Sequence, residues 1–171
     1  LPAPAADGAI APSLGAHPEG QLVHGWAPGG DDITFPIDTA IEMPQTGWML
    51  EIHYNSNDPG AADNTGVEVC VATEPRKNLA SLSWLGTDGI AGTVASGTCN
   101  PRDDMGDITL LDFSPHMHTK GTRMKAVVNR AGGGEEVIHD EPFDFENQIH
   151  YQPDPPVIIK AGDTITTTCY Y

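Results

Sequence analysis

Proline and glycine recur so regularly along this chain that a long helix has nowhere to form. No window of about 12 residues keeps a helical apolar period without meeting one or the other. With 19 Gly and 15 Pro and no collagen-like period, these residues read as turn punctuation between short strands. The runs between them carry β patterns. Residues 65–73 alternate apolar and polar side chains, as a half-buried strand does. The segment WMLEIHY (48–54) is another strong strand candidate, and shorter ones fall at 21–26, 32–37 and 39–43. Further along, strands are expected at 81–86, 89–94, 107–113, 123–129, 135–139, 150–152, 157–160 and 164–171. Ala131-Gly132-Gly133-Gly134 is a hairpin turn and Lys160-Ala161-Gly162-Asp163 a second turn. Many short strands with frequent turns imply an all-β fold, an antiparallel β-sandwich or jelly roll. Residues 1–20, rich in Ala and Pro, read as a flexible N-terminal segment. Residues 74–80 hold two of the eight basic residues and no β pattern, which makes them a candidate domain boundary.

Charge and cysteine usage narrow the partners. Twenty-four acidic residues against 8 basic ones leave a net charge of −16. Such a surface repels phosphate backbones and excludes nucleic acid as a natural partner. No apolar run approaches the roughly 20 residues of a membrane span. The three cysteines, Cys70, Cys99 and Cys169, include no CxxC pair, which argues against a thiolate zinc site. An odd count leaves at least one thiol without a partner in the chain. Few lysines and abundant Gly, Pro and Thr suggest a secreted or periplasmic, extracellular protein.

The sharpest local feature is SPHMHTKG (114–121). In an extended segment residues i and i+2 share a face, so His116 and His118 would stand side by side, about 6.5 Å apart at Cα from a rise of roughly 3.3 Å per residue. Two imidazole nitrogens on such a base can converge on one ion at about 2.0–2.1 Å. Met117 would face the opposite way, into a core. The spacing suits copper and zinc equally. It also suits two surface histidines beside a proline turn, and a metal would need a third ligand from elsewhere. His53, at the end of the 48–54 run, is a candidate single ligand or a plain hydrogen-bonded histidine. His17, His24, His139 and His150 carry no distinguishing pattern. The acidic turn 103–107 lacks the register of an EF-hand loop. No nucleophile elbow, P-loop or dinucleotide fingerprint occurs.

Taken together, several segments resemble the copper type II, ascorbate-dependent monooxygenases. His116-Met117-His118-Thr119-Lys120-Gly121 is similar to that family's HxHxxG segment, and WMLEIHY (48–54) to its LQVHY strand. GWAPG (25–29), TGVEV (65–69) and the stretch from Ala161-Gly162-Asp163 to Thr168-Cys169-Tyr170 follow in the family's order. The resemblance implies two consecutive jelly-roll domains, with residues 21–75 the late part of the first and 76–171 most of the second. It implies one or two copper ions and ascorbate or another reductant as co-substrate. His116 and His118 would ligate the copper that activates O₂, and His53 the electron-transfer copper. The substrate would be a small molecule or peptide. The family's upstream His-His pair is absent from this sequence, and its Met ligand lies beyond the Cys-x-Tyr strand. The chain therefore reads as the middle of a longer protein. Within it, Met124 or Met105 would be the substitute thioether donors. The resemblance gives Cys99 and Cys169 disulfide partners further on; a Cys70–Cys99 bridge is the alternative inside the chain. A non-catalytic secreted β-domain for copper binding, adhesion or assembly is the competing function, and a structural zinc site the third.

Overall fold

The computed structural model describes residues 22–43, 48–52, 58–62, 64–85, 92–100 and 106–171. His53, His17, Met105 and the N-terminal segment 1–20 lie outside the described residues. The chain divides into two compact units, Leu1–His24 with Pro36–Leu82, and Gly25–Phe35 with Ser83–Tyr171.

The first unit holds two short strands, β1 (Thr39–Ile41) and β2 (Asn78–Ala80), paired in parallel. Asp38 anchors them: its carbonyl accepts from the Asn78 backbone N–H at 2.9 Å and its carboxylate from the Asn78 side chain at 3.0 Å. β2 falls in the segment expected to lack β structure. Conversely, the described parts of 48–54 and 65–73 form no strand, and Val67, Val69 and Val71 are exposed. Alternation marks the face a strand would bury. A strand exists only where a neighbour completes its hydrogen-bond ladder, and no described residue does so here.

The second unit is built from β3 (Val94–Cys99), β4 (Ile108–Leu110), β5 (Arg123–Asn129), β6 (Glu135–Pro142), β7 (Val157–Ile159) and β8 (Thr164–Tyr170). An antiparallel sheet of order β3-β8-β5-β6 faces the antiparallel pair β4-β7. The described residues contain strands and turns and no helix. Val128 and Ile165 from the larger sheet pack on Val157 and Ile159 of β7, with Ile108 and Leu110 of β4 against them. This two-layer arrangement is that of a β-sandwich domain. Met117, Met124 and Cys169 form a second buried cluster, with Phe143 and Tyr171 against it. β8 alternates as its sequence requires. Ile165 and Cys169 point inward, while on the other face Thr166 and Thr168 pair with Thr98 and Ser96 at 2.9 and 3.0 Å. Ala, Ser, Gly and Thr give the edge strand β3 no hydrophobic rhythm; its pairing with β8 defines it.

The alternative Cys70–Cys99 bridge does not form: Cys70, Cys99 and Cys169 are free thiols in this chain. Cys99 pairs in register with Ile165, whereas Cys169 pairs with Ala95. Burial raises the Cys169 thiol pKa, opposed by a hydrogen bond with Tyr171.

Asp163 clasps the two expected turns together. The 131–134 turn closes through Arg130 and Gly134, with Gly133 and Gly134 at φ 93° and 95°. The Asp163 carboxylate accepts from the backbone N–H groups of Ala131 (2.9 Å) and Lys160 (3.0 Å) and from the Arg130 guanidinium (2.6 Å). These donors favour the ionised form and lower its pKa from 3.8 to about 2, the backbone bonds contributing most. The resulting stability is complete above pH 3.8 and is lost as pH falls through about 2. Asp163→Asn should therefore melt several degrees below the wild type at neutral pH. The gap should close on acidification toward pH 2, as followed by circular dichroism.

Candidate metal centre

The segment 114–118 belongs to no named strand, yet it is held extended from both ends. At its start, Phe113 and Tyr151 exchange backbone hydrogen bonds of 3.0 and 2.9 Å. At its end, Gly121 N–H donates to the His118 carbonyl at 2.8 Å, closing a turn. Between these ties burial alternates residue by residue: Pro115 and Met117 are buried, while Ser114, His116 and His118 are exposed. Met117, only 4% exposed, is the peg that fixes this phase, inserted beside Met124 and Cys169. Gly121 makes room for it. A Cβ at Gly121 would stand 2.8 Å from both Cβ and Cε of Met117, which gives the glycine of the HxHxxG pattern a steric reason.

The two imidazoles that result are neighbours, with ring centres 5.6 Å apart and planes at 82°. An ion about 2.0–2.1 Å from each ligating nitrogen lies about 3 Å from each ring centre, so rings sharing one ion have centres about 5–6 Å apart. The observed spacing fits that requirement.

One ring is further prepared. His116 Nδ1 lies 2.7 Å from Oε1 of Gln148. The Gln148 amide is oriented by its own donation from Nε2 to the Phe145 carbonyl at 2.9 Å. Its oxygen therefore faces His116 and accepts the Nδ1 proton, leaving the Nε2 lone pair available to a metal. Gln148 is 3% exposed, and its backbone N–H is tied to the Pro28 carbonyl at 2.7 Å. Trp84 flanks the same ring, with centres 5.9 Å apart. Neither residue was singled out from sequence. Gln148 is 32 positions from His116, and no local pattern links them. Gln148→Leu keeps the bulk and removes the acceptor. Copper affinity should fall about 10–100-fold in a chelator-competition titration, the usual cost of losing an outer-shell partner.

The other described histidines serve elsewhere. His139 is buried between Phe113 and Tyr151, at ring-centre distances of 5.5 and 4.7 Å. Burial lowers its pKa, with Glu141 and Asp140 opposing. His150 Nδ1 bonds Asp112 at 2.8 Å. His24 is exposed in the first unit. Met124 is a core residue. Among the described residues, no group of three or more His, Cys, Asp or Glu side chains is assembled for a metal.

Residues 90–171, which include the histidine pair, Gly121 and Gln148, match the family described as copper type II ascorbate-dependent monooxygenase, C-terminal domain. Over these residues, just under half of the chain, it matches the copper type II ascorbate-dependent monooxygenase family. It is similar to DBH-like monooxygenase protein 2 of Mus musculus, 29% identical over 88% of this chain and 28% of that protein. It is also similar to MOXD1 homolog 1 of Drosophila melanogaster, 24% identical over 85% of this chain and 24% of the relative. The chain thus spans about a quarter of the length of these curated relatives. No solved structure matches it. Within the copper monooxygenase family, the matched part is the C-terminal domain.

Proposed function

We propose that this chain carries part of the oxygen-activating centre of a secreted, copper-dependent monooxygenase that hydroxylates a small molecule or peptide. His116 and His118 are two of the copper ligands. His53 belongs to a separate electron-transfer copper in the intact protein, and ascorbate or another external reductant supplies electrons. The β-sandwich unit is then part of a jelly-roll domain.

The observation that carries this reading is the prepared imidazole pair on a family-matched domain: adjacent exposed rings, a buried Met117 between them, and Gln148 holding one tautomer. Copper bound there would supply one-electron redox chemistry and activation of O₂. The chain's own contribution is positional. Met117 and the Phe113–Tyr151 bridge keep both rings on one side, and Gln148 keeps the His116 Nδ1 proton so that Nε2 can donate. Neutral imidazoles accept both copper oxidation states without the charge of carboxylates, and a soft thioether from elsewhere in the intact protein would favour Cu(I).

Equilibrium dialysis with Cu(I), Cu(II) and Zn(II), followed by electron paramagnetic resonance of the Cu(II) form, tests the reading. Copper retention with hyperfine structure from two nitrogens is expected. Preferential zinc retention would favour a structural site. Copper retention by the intact protein without oxygen-dependent consumption of ascorbate would favour a non-catalytic copper-binding domain.

A further inference from the structure

The turn Ala27-Pro28-Gly29-Gly30 lies in the same compact unit as the histidine pair and packs onto the loop that carries Gln148. It closes from the Gly30 N–H to the Ala27 carbonyl at 2.9 Å, and the Trp26 indole N–H braces it by donating to the Gly30 carbonyl at 2.9 Å. Proline at its second position and Gly29, with φ 82°, at its third give the pattern of a type II turn. Types I and II differ in the central peptide, which flips over by roughly 150–170° between them. Here that peptide carries the Pro28 carbonyl, which accepts the Gln148 backbone N–H at 2.7 Å. Gly29 also sits flush on the neighbouring loop. A Cβ there would stand 2.6 Å from Asn147 Cα and 3.1 Å from the Glu146 carbonyl oxygen.

We infer that Gly29 is a positioning residue of the proposed centre: it seats the 27–30 turn on Asn147 and Gln148, and so aims the amide that holds the His116 tautomer. The inference rests on His116 and His118 holding the metal. Two requirements single out glycine. The positive φ keeps the Pro28 carbonyl turned toward Gln148, and the missing side chain lets the two backbones touch. Gln148 needs this anchor because it lies between β6 and β7, outside any strand, where no ladder fixes its backbone. Its side chain is stretched between the Phe145 carbonyl and His116 Nδ1. A shift of about 1 Å would carry the 2.7 Å contact to His116 past the hydrogen-bond limit of roughly 3.5 Å. Without that acceptor the Nδ1 proton is free to move to Nε2, the nitrogen left for the metal.

Ring-nitrogen NMR of His116 in the metal-free whole chain, at a pH where the imidazole is neutral, reads the effect. The wild type should hold the proton on Nδ1, and Gly29→Ala should move it to Nε2 in a large share of molecules. Gly29→Asn is the second variant. Asparagine accepts a left-handed φ, so the turn survives, but its Cβ still meets Asn147; the same shift is expected. Gly133→Ala is the control. Its φ is 93°, yet nothing lies within 4 Å of the added Cβ, and the His116 tautomer should not change. In chelator competition, Gly29→Ala should weaken copper binding toward the roughly 10–100-fold loss expected of Gln148→Leu. The double variant should bind copper no more weakly than Gln148→Leu alone. A proton on Nε2 in the wild type, an unshifted tautomer in both Gly29 variants, or additive losses in the double variant overturns the assignment. Failure of copper to bind any form would sink the proposed function instead, and the metal-free tautomer would still decide whether Gly29 acts through Gln148.

Discussion

His116→Ala should abolish stoichiometric copper binding at concentrations that saturate the wild type. The substitution removes one of two imidazoles whose ring centres lie 5.6 Å apart, and a single remaining imidazole cannot chelate. The loss should exceed the roughly 10–100-fold expected for an outer-shell residue such as Gln148. His118→Ala should behave alike, because neither ring has a substitute donor among the described residues. Both side chains are exposed, so thermal stability of the metal-free protein should change little. Metal analysis after dialysis, together with a melting curve, separates lost coordination from lost fold. Unchanged copper stoichiometry in His116→Ala would remove the proposed centre.

Ile159→Ala should give the largest stability loss, about 2–5 kcal/mol by the usual cost of such core truncations. Ile159 is 3% exposed and packs with Val128, Val157 and Ile165, where the two layers meet. A small domain has only about 5–15 kcal/mol to lose. The neighbouring Ile158 is 38% exposed, pointing away from that cluster. Ile158→Ala should cost under about 1 kcal/mol and serves as the internal control. Urea unfolding reads both, and a shifted midpoint at constant slope is the expected signature. Equal losses at the two positions would mean that β7 does not join the layers as described.

Much of the second unit was legible in advance. The run 123–129 became β5 with those boundaries, and the glycine-rich turn and the run 164–171 delivered β6 and β8. These segments combine β-branched residues with clear turn signals, so local preference and tertiary pairing agree. The runs 48–54 and 65–73 carried equally good alternation and formed no strand among their described residues. β2 and β3 formed with almost none. Pairing is a property of two segments, and a one-segment pattern cannot report it.

The histidine pair shows the same division. The HxH spacing, with a methionine between, was enough to imply two imidazoles on one side and a buried residue on the other. An extended backbone alternates its side chains whatever lies around it. What the spacing could not supply was the reason the segment stays extended, which is the Phe113–Tyr151 bridge and the Met117 socket beside Gly121. Nor could it supply Gln148 and Trp84, which reach His116 from distant parts of the chain. Residue type and local order determined which groups could bind a metal. Only the packing of strands far apart in sequence decided which nitrogen is prepared and what stands beside it, because those contacts form across the sheet rather than along the backbone.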